Sequence, residues 1–307
     1  MIDLHIHLDG SLGKEEILRL AEITGTDLSD AVFDDSPPSP EGGLKDYLKR
    51  FELPLSVLQS PESVYYAIML LAARLKGEGL EYAEIRFAPS LHTRKGHSET
   101  EIVSAASDAA KEALCRGFPI GVILCCMRGL SREKNLATAS LAADFVTRRS
   151  GIVGLDLAGD EGTYPNSLYG YYFGFAKEKG IPFTVHAGEA RGAESVLSAL
   201  RQGAKRIGHG VRAAYDEKAV SEMLAAGVTA ELCYTSNLQT GAWSAAKEYP
   251  LRYFMERGVK VTLNTDNTAV SKTSLKREYE LLRVTPEEER ILDANARTAA
   301  FENRLLE

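Results

Sequence analysis

A basic field is the first thing these 307 residues lack: 36 lysines and arginines stand against 43 aspartates and glutamates, a formal net charge of −7. A phosphate backbone would meet no complementary surface, so nucleic acid is not expected as a partner. Long apolar runs are missing too. No stretch approaches the roughly 20 residues of a membrane helix, so no membrane association is expected. The alternating N-terminus has neither the positive region nor the continuous apolar core of a signal peptide. The four cysteines, Cys115, Cys125, Cys126 and Cys233, form no CxxC and fall in segments expected to be core. They read as reduced, buried thiols of a cytoplasmic protein. No GxGxxG opens a helix, and there is no P-loop, no GxSxG and no HxE followed by PCxxC. Those absences set aside dinucleotide-binding open sheets, serine hydrolases and the cytidine-type zinc deaminases. Histidine is scarce as well, six in all, and four of the six end strand-like runs: His5, His7, His186 and His209.

The first dozen residues, MIDLHIHLDGSL, carry a strand period. Ile2, Leu4, Ile6 and Leu8 face one way; Asp3, His5, His7 and Asp9 face the other. Ionisable groups on the inner side of a buried strand are costly unless they hold something, and imidazoles two positions apart are a common way to hold a transition metal.

From residue 80 the text turns regular. Strand-like runs at 80–89, 119–127, 152–160, 181–189, 205–210, 228–236 and 259–267 bring the count to eight with the first. Amphipathic segments lie between them, one presenting Ile102, Ala106, Ala109 and Ala113 on a single face. Gly79, Gly117, Gly151, Gly180, Gly203, Gly227 and Gly258 each close a helical segment just before a strand, as left-handed caps do. Parallel strands with right-handed crossovers follow, and eight units predict a single-domain α/β fold over 1–307, a closed (β/α)8 barrel. Residues 13–79 read as a helical, lid-like insertion after strand one, and 274–307 as C-terminal capping helices with Pro286 in a first turn.

In such barrels the chemistry sits at the C-terminal strand ends. There the chain places His5, His7 and Asp9, then Asp156 with Ala158-Gly159-Asp160-Glu161, then His186 and Glu189, His209, and Asp266-Asn267. His5, His7, His186 and Asp266 supply three nitrogens and one oxygen, a set suited to one Zn²⁺ per chain. Catalysis needs a further position open to water. Glu189, three residues past His186, can reach a substrate without ligating the ion, and His209 can take or orient a proton. Glu84 and Arg86 on strand two read as a buried ion pair lower in the barrel. Tyr47, Leu48, Phe51 and Leu55 of the insertion could wall a pocket or form lid core.

The run HIHLDGSL, LEYAEIRFAPS, GLDLAGDE, FTVHAGE, RIGHG, ELCYTSNLQT, LNTDN and NARTAAF resembles the adenosine deaminase family of metal-dependent barrel hydrolases along nearly the whole chain. The resemblance implies zinc on His5, His7, His186 and Asp266, with Glu189 donating a proton to the purine ring nitrogen beside the amino-bearing carbon. It implies His209 on the attacking water and Asp266 as a catalytic residue as well as a ligand. His7, Asp9 (toward the ribose), Gly159 (through its amide) and Asn267 would be the substrate contacts. A purine nucleoside is the implied partner, and hydrolysis of adenosine or 2′-deoxyadenosine to the inosine nucleoside and ammonia the implied reaction. A deaminase of adenine or of a modified adenosine nucleoside is the nearest alternative. A metallophosphoesterase opening with HxH, or a non-catalytic nucleoside-binding barrel, lies further off. Two positions depart from the family pattern: Asn267, where aspartate is usual, and Tyr234, where proline is usual.

Overall fold

Glycine sets the rhythm of the chain. Gly79, Gly117, Gly151, Gly180, Gly203, Gly227 and Gly258 all lie in the left-handed region, with φ between 64° and 86°, and each hands the chain to a strand. The computed structural model describes residues 1–34, 36–146 and 150–302. Its strands are β1 (Ile2–His7), β2 (Tyr82–Phe87), β3 (Ile120–Met127), β4 (Ile152–Ala158), β5 (Thr184–Ala187), β6 (Arg206–His209), β7 (Thr229–Leu232) and β8 (Lys260–Leu263). All neighbours pair in parallel, in the orders β1-β2-β3-β4 and β5-β6-β7-β8. A parallel bridge crosses each seam, Ile6 to Asp266 and Leu155 to Phe183. The backbone amide of His7 donates to the Asp266 carbonyl at 2.7 Å, and the amide of Asp266 to the His5 carbonyl at 2.8 Å. The ring of a (β/α)8 barrel is thereby complete, as the eight repeats predicted.

The insertion is built of α1 (Lys14–Thr24), α2 (Gly43–Lys49), α3 (Glu52–Val57) and α4 (Pro61–Gly77). It divides more sharply than the sequence suggested. α4 packs on α1, on β2 and on the next helix, α5 (Glu99–Cys115), and so belongs to the outer layer of helices. Only α2 and α3 overhang the strand ends. The outer layer continues with α6 (Arg132–Val146), α7 (Gly170–Glu178), α8 (Ala193–Gln202) and α9 (Glu217–Ala226). Then come α10 (Tyr234–Gln239), α11 (Leu251–Glu256), α12 (Leu275–Leu281) and α13 (Pro286–Ala299), with Pro286 in its first turn. Residues 303–307 of the expected C-terminal cap lie outside the described residues. None of the described helices is long and apolar enough to cross a membrane.

Helix faces follow the expected spacing: α5 buries Ile102, Ala106, Ala109 and Ala113. Its last residue corrects one expectation. Cys115 sits off that stripe and is exposed, whereas Cys125, Cys126 and Cys233 are buried; all four are free thiols.

Inside the ring the lower layers are ionic. Tyr82, Glu84 and Arg86 alternate inward along β2 and are all fully buried. Glu84 and Arg86 do not pair with each other, contrary to the sequence reading. Two residues along one strand are separated by about 6.6 Å of rise, so each occupies its own layer and finds partners across the barrel. Arg206 holds Glu84 Oε2 at 2.6 Å and Glu231 Oε1 at 2.6 Å. Arg86 holds Glu231 Oε2 at 3.0 Å and Asp156 Oδ2 at 2.9 Å. Below them, the Arg206 guanidinium lies 3.8 Å from the centre of the Phe301 ring, and the Phe301 amide donates to Glu84 Oε1 at 2.7 Å. The segment after α13 thus closes the floor.

Removing one member of such an array strands its partners in a dry interior, at a cost of about 3–5 kcal/mol. Arg206→Met keeps the apolar stem and deletes the charge between Glu84 and Glu231. The expected outcome is a loss of that size in urea or guanidinium unfolding, with a wild-type midpoint arguing against the ionic array as a folding constraint.

Candidate active site

The strands of the second sheet are short because the chain turns abruptly where they end. His209 (φ 61°) and Asp266 (φ 62°) are both left-handed without being glycine, a conformation costing about 1–3 kcal/mol each. Gly188, just past β5, has φ 74°, and a Cβ there would sit 2.7 Å from Val196 Cγ2. These turns aim side chains from four separated parts of the sequence at one mouth. Ring centroids of His5 lie 5.3 Å from His7, 4.7 Å from His186 and 5.0 Å from His209.

Partners on the far side of each ring decide what the near side can do. His5 Nδ1 lies 2.7 Å from Glu231 Oε2, and His186 Nδ1 lies 2.9 Å from Asp156 Oδ2. A carboxylate only accepts, so both Nδ1 atoms carry the proton and both Nε2 atoms present lone pairs. Burial disfavours charge on Asp156 and Glu231. Polar and charged neighbours outweigh it, the His186 ring and the Arg86 guanidinium for Asp156, Arg86 and Arg206 for Glu231, and hold both carboxyls well below the usual range. His5 Nε2 is buried with no hydrogen-bond partner. His7 Nε2 faces His186 Nε2 across 3.2 Å, and Asp266 Oδ1 lies 3.4 Å from Nε2 of both His5 and His7. Ser236 Oγ takes the other oxygen, Asp266 Oδ2, at 2.5 Å. In their neutral forms these ring nitrogens converge with the Asp266 carboxylate in a buried pocket where a divalent cation would meet all of them; the donor set fits such an ion.

His209 is different. Nitrogen and oxygen atoms of His5, His186, His209 and Asp266 all lie within 4.8 Å of one another, so distance alone would admit His209 in place of the expected His7. Its tautomer separates them. Tyr249 donates its hydroxyl to Asn237 Oδ1 at 2.8 Å, which turns Asn237 Nδ2 toward His209 Nδ1 at 2.9 Å. Nδ1 therefore accepts, and the neutral ring keeps its proton on Nε2, 3.6 Å from Glu189 Oε2. Burial holds His209 well below its ordinary pKa, so the neutral ring prevails. Nε2 of His209 is a donor, whereas Nε2 of neutral His5 and His186 offers a lone pair that could take a cation.

These groups open into a cavity of about 200 Å³ that Asp9, Gly159, Glu189 and Asn267 also line. Every site residue named from sequence reaches this one space except His5, which lies beneath it. Leu44, Tyr47 and Leu48 from α2, Phe51 between the two helices and Leu55 from α3 form its apolar wall, and Phe87, Leu91 and Met127 continue it. Tyr47 hydroxyl meets Ser271 Oγ at 2.7 Å, tying the overhang to the β8 loop. Gly159 has φ 98°. A Cβ at Gly10 would fall 1.8 Å from Asn267 Oδ1, so the glycine gives that amide its place. Asn267 Oδ1 is buried, with no well-formed hydrogen bond among the described residues.

The chain matches the model of the adenosine deaminase family over residues 1–301. It is 43% identical over 317 aligned residues to an adenosine deaminase of Haemophilus ducreyi, covering 98% of this chain and 91% of the relative. The chain belongs to the adenosine deaminase family. Solved structures with the same fold include an adenine deaminase of Arthrobacter aurescens (TM-score 0.87, 23% identity, 99% of this chain and 95% of that one). An Arabidopsis N6-mAMP deaminase also matches (TM-score 0.84, 23% identity, 99% and 96%). Membership makes the chain a metal-dependent aminohydrolase and sets aside the metallophosphoesterase and non-catalytic readings.

Missed from the sequence are the supports Glu231, Ser236 and Asn237, with Asp156 and Glu161 noticed only at a strand exit. Their signal was the inward phase of charged residues on β4 and β7, which puts Asp156 and Glu231 on the same face as Arg86. Tyr234 acquires a place too, its ring edge-on to Tyr249 at 4.9 Å, behind the pair that sets the His209 tautomer.

Burial, with the nearby Asp266 charge adding to it, pushes the Glu189 carboxyl up to about 8. A folded state that holds this proton more tightly than the unfolded chain loses stability as pH rises from the unfolded value toward the folded one. The metal-free protein is therefore expected to melt lower at pH 8 than at pH 5, and Glu189→Gln to flatten that slope. Parallel slopes for the two proteins in calorimetry would contradict the assignment.

Proposed function

We propose that this chain hydrolyses adenosine and 2′-deoxyadenosine to the corresponding inosine nucleoside and ammonia, with one zinc ion held by His5, His7, His186 and Asp266. The observation that carries this reading is the pairing of opposed protonation states at one cavity. Imine nitrogens are freed by Glu231 and Asp156 on one side, and a carboxylic acid kept protonated by burial at Glu189 stands on the other. Three nitrogens and one carboxylate oxygen favour zinc over magnesium or calcium. When bound, zinc supplies the Lewis acidity that makes water a competent nucleophile near neutral pH.

The chain's own residues supply the rest. Leu44, Phe51 and Met127 offer an apolar slot to the purine, and the Gly159 amide can meet its edge. Asp9 stands where a ribose hydroxyl would fall. Glu189 donates its proton to the ring nitrogen next to the amino-bearing carbon, so that carbon becomes electrophilic as a carbon–oxygen bond forms. His209, with its proton already on Nε2, is better suited to orient the attacking oxygen by donation than to remove its proton. As the carbon–nitrogen bond breaks, the amino group leaves as ammonia with one proton of the water. Glu189 recovers its proton from the new hydroxyl as the carbonyl forms.

Asn267 keeps purine recognition independent of pH, because an amide donates without first being protonated, whereas a carboxylate must be. Three measurements test this reading. Ultraviolet spectra of adenosine, deoxyadenosine and adenine with the zinc-loaded protein should show turnover of the nucleosides. Glu189→Gln should lose about 10²- to 10⁴-fold in rate while keeping its metal; full activity in that variant would remove the acid from the scheme. Asn267→Asp should make KM for adenosine rise with pH, and a flat profile would count against the role given to the amide.

A further inference from the structure

Four consecutive backbone amides just past β5 converge on one side chain. Gly188 donates to Glu161 Oε1 at 2.8 Å, and Glu189, Ala190 and Arg191 donate to Oε2 at 3.1, 2.7 and 3.0 Å. Glu161 is fully buried on the loop after β4, two residues beyond Gly159. Its carboxylate has no step in the chemistry above. The amides it collects are not the free N-terminus of a helix, since α8 begins only at Ala193. They form a concave nest of the sort that otherwise binds an external anion, filled here by a side chain from the loop after the neighbouring strand.

We propose that Glu161 is a positioning residue for the acid: it locks the loop carrying Glu189 to the loop carrying Gly159, and so sets the height of the Glu189 carboxyl above the purine ring. Glu189's own amide is one of the four tied groups. Behind the same loop, Arg128 Nη2 donates to the His186 carbonyl and to Asn166 Oδ1, each at 2.7 Å, so the start of the turn is pinned from below while Glu161 pins it from the side. Glutamine cannot replace the clamp, because its amide nitrogen would point a donor at a donor whichever way it turned. The inference rests on the deaminase reading, since height over a ring matters only if Glu189 passes a proton to it.

A displacement near 1 Å at a proton-transfer site costs on the order of 10²-fold in rate without a matching loss of ground-state binding. The metal-loaded variants Glu161→Gln, Glu161→Asp, Glu189→Gln and Glu161→Gln/Glu189→Gln form the test. It reads kcat and KM for adenosine, metal content, and affinity for an adenosine analogue with carbon in place of the ring nitrogen that receives the proton. The expected result for Glu161→Gln is a fall in kcat of about 10²-fold, with metal content and analogue affinity held. In the Glu189→Gln background the same change should cause no further fall, because residues acting through one group are not additive. Amides 188–191 should also exchange with deuterium faster. Wild-type kcat, a loss confined to KM, or a full additional loss in the double variant overturns the proposal. If Glu161→Gln fails to fold or to hold metal, Glu161→Asp is read by the same criteria, since it keeps charge and both oxygens but withdraws them by one methylene. Wild-type turnover by Glu189→Gln would sink the acid assignment and this proposal together; wild-type turnover by the Glu161 variants alone sinks only the proposal.

Discussion

Arg86 stands between two buried carboxylates, and each of those carboxylates holds the far nitrogen of an imidazole. One guanidinium thereby fixes the tautomers of His5 and His186 through Glu231 and Asp156. Taken alone, an ion pair in a dry interior is weak support for folding, since desolvation offsets most of the attraction. Here the array continues through Arg206 to Glu84 and down to the backbone of Phe301, and every charge in it has an opposite neighbour. The interior of this barrel is better understood as a scaffold that presents lone pairs upward than as an apolar core with a site on top.

Much of this was legible in the residues. Alternation in MIDLHIHLDGSL put Asp3, His5 and His7 on the inner face, and the seven glycines marked the strand starts closely enough for eight strands to be counted. HAGE, GHG and NTDN lay where the barrel geometry needed them. What could not be read was who faces whom across the ring. Glu84 and Arg86 look like partners in a linear text because they are near each other. Pairing in a barrel is decided by stagger between strands, and stagger assigned one to Arg206 and the other to Asp156 and Glu231. The residues assigned His7 to the ion and His209 to the proton, but what distinguishes the two rings physically was hidden. It depends on Asn237, a residue in a short helix, and on a tyrosine hydroxyl that orients it. The outward turn of Cys115 depends on where α5 ends within its own period.

Strain and support are distributed in the same region. His209 and Asp266 hold left-handed backbone at the exits of β6 and β8, and both are surrounded by groups that leave them no other arrangement. The loop after β5 is tied by four amides and a buried arginine. The wall made by α2 and α3 is tied as well, by the Tyr47 hydroxyl on Ser271 and by Gln59, whose amide nitrogen donates to the carbonyls of Leu55 and Leu91.

The bridge between β1 and β8 has a consequence for how the protein comes into being. His5 and Asp266 are far apart in the sequence, and the backbone contact that joins their segments is also the joint that brings their side chains together. Until that contact forms, the donor set is incomplete. A cation bound by these groups would therefore favour the state in which the two strands meet.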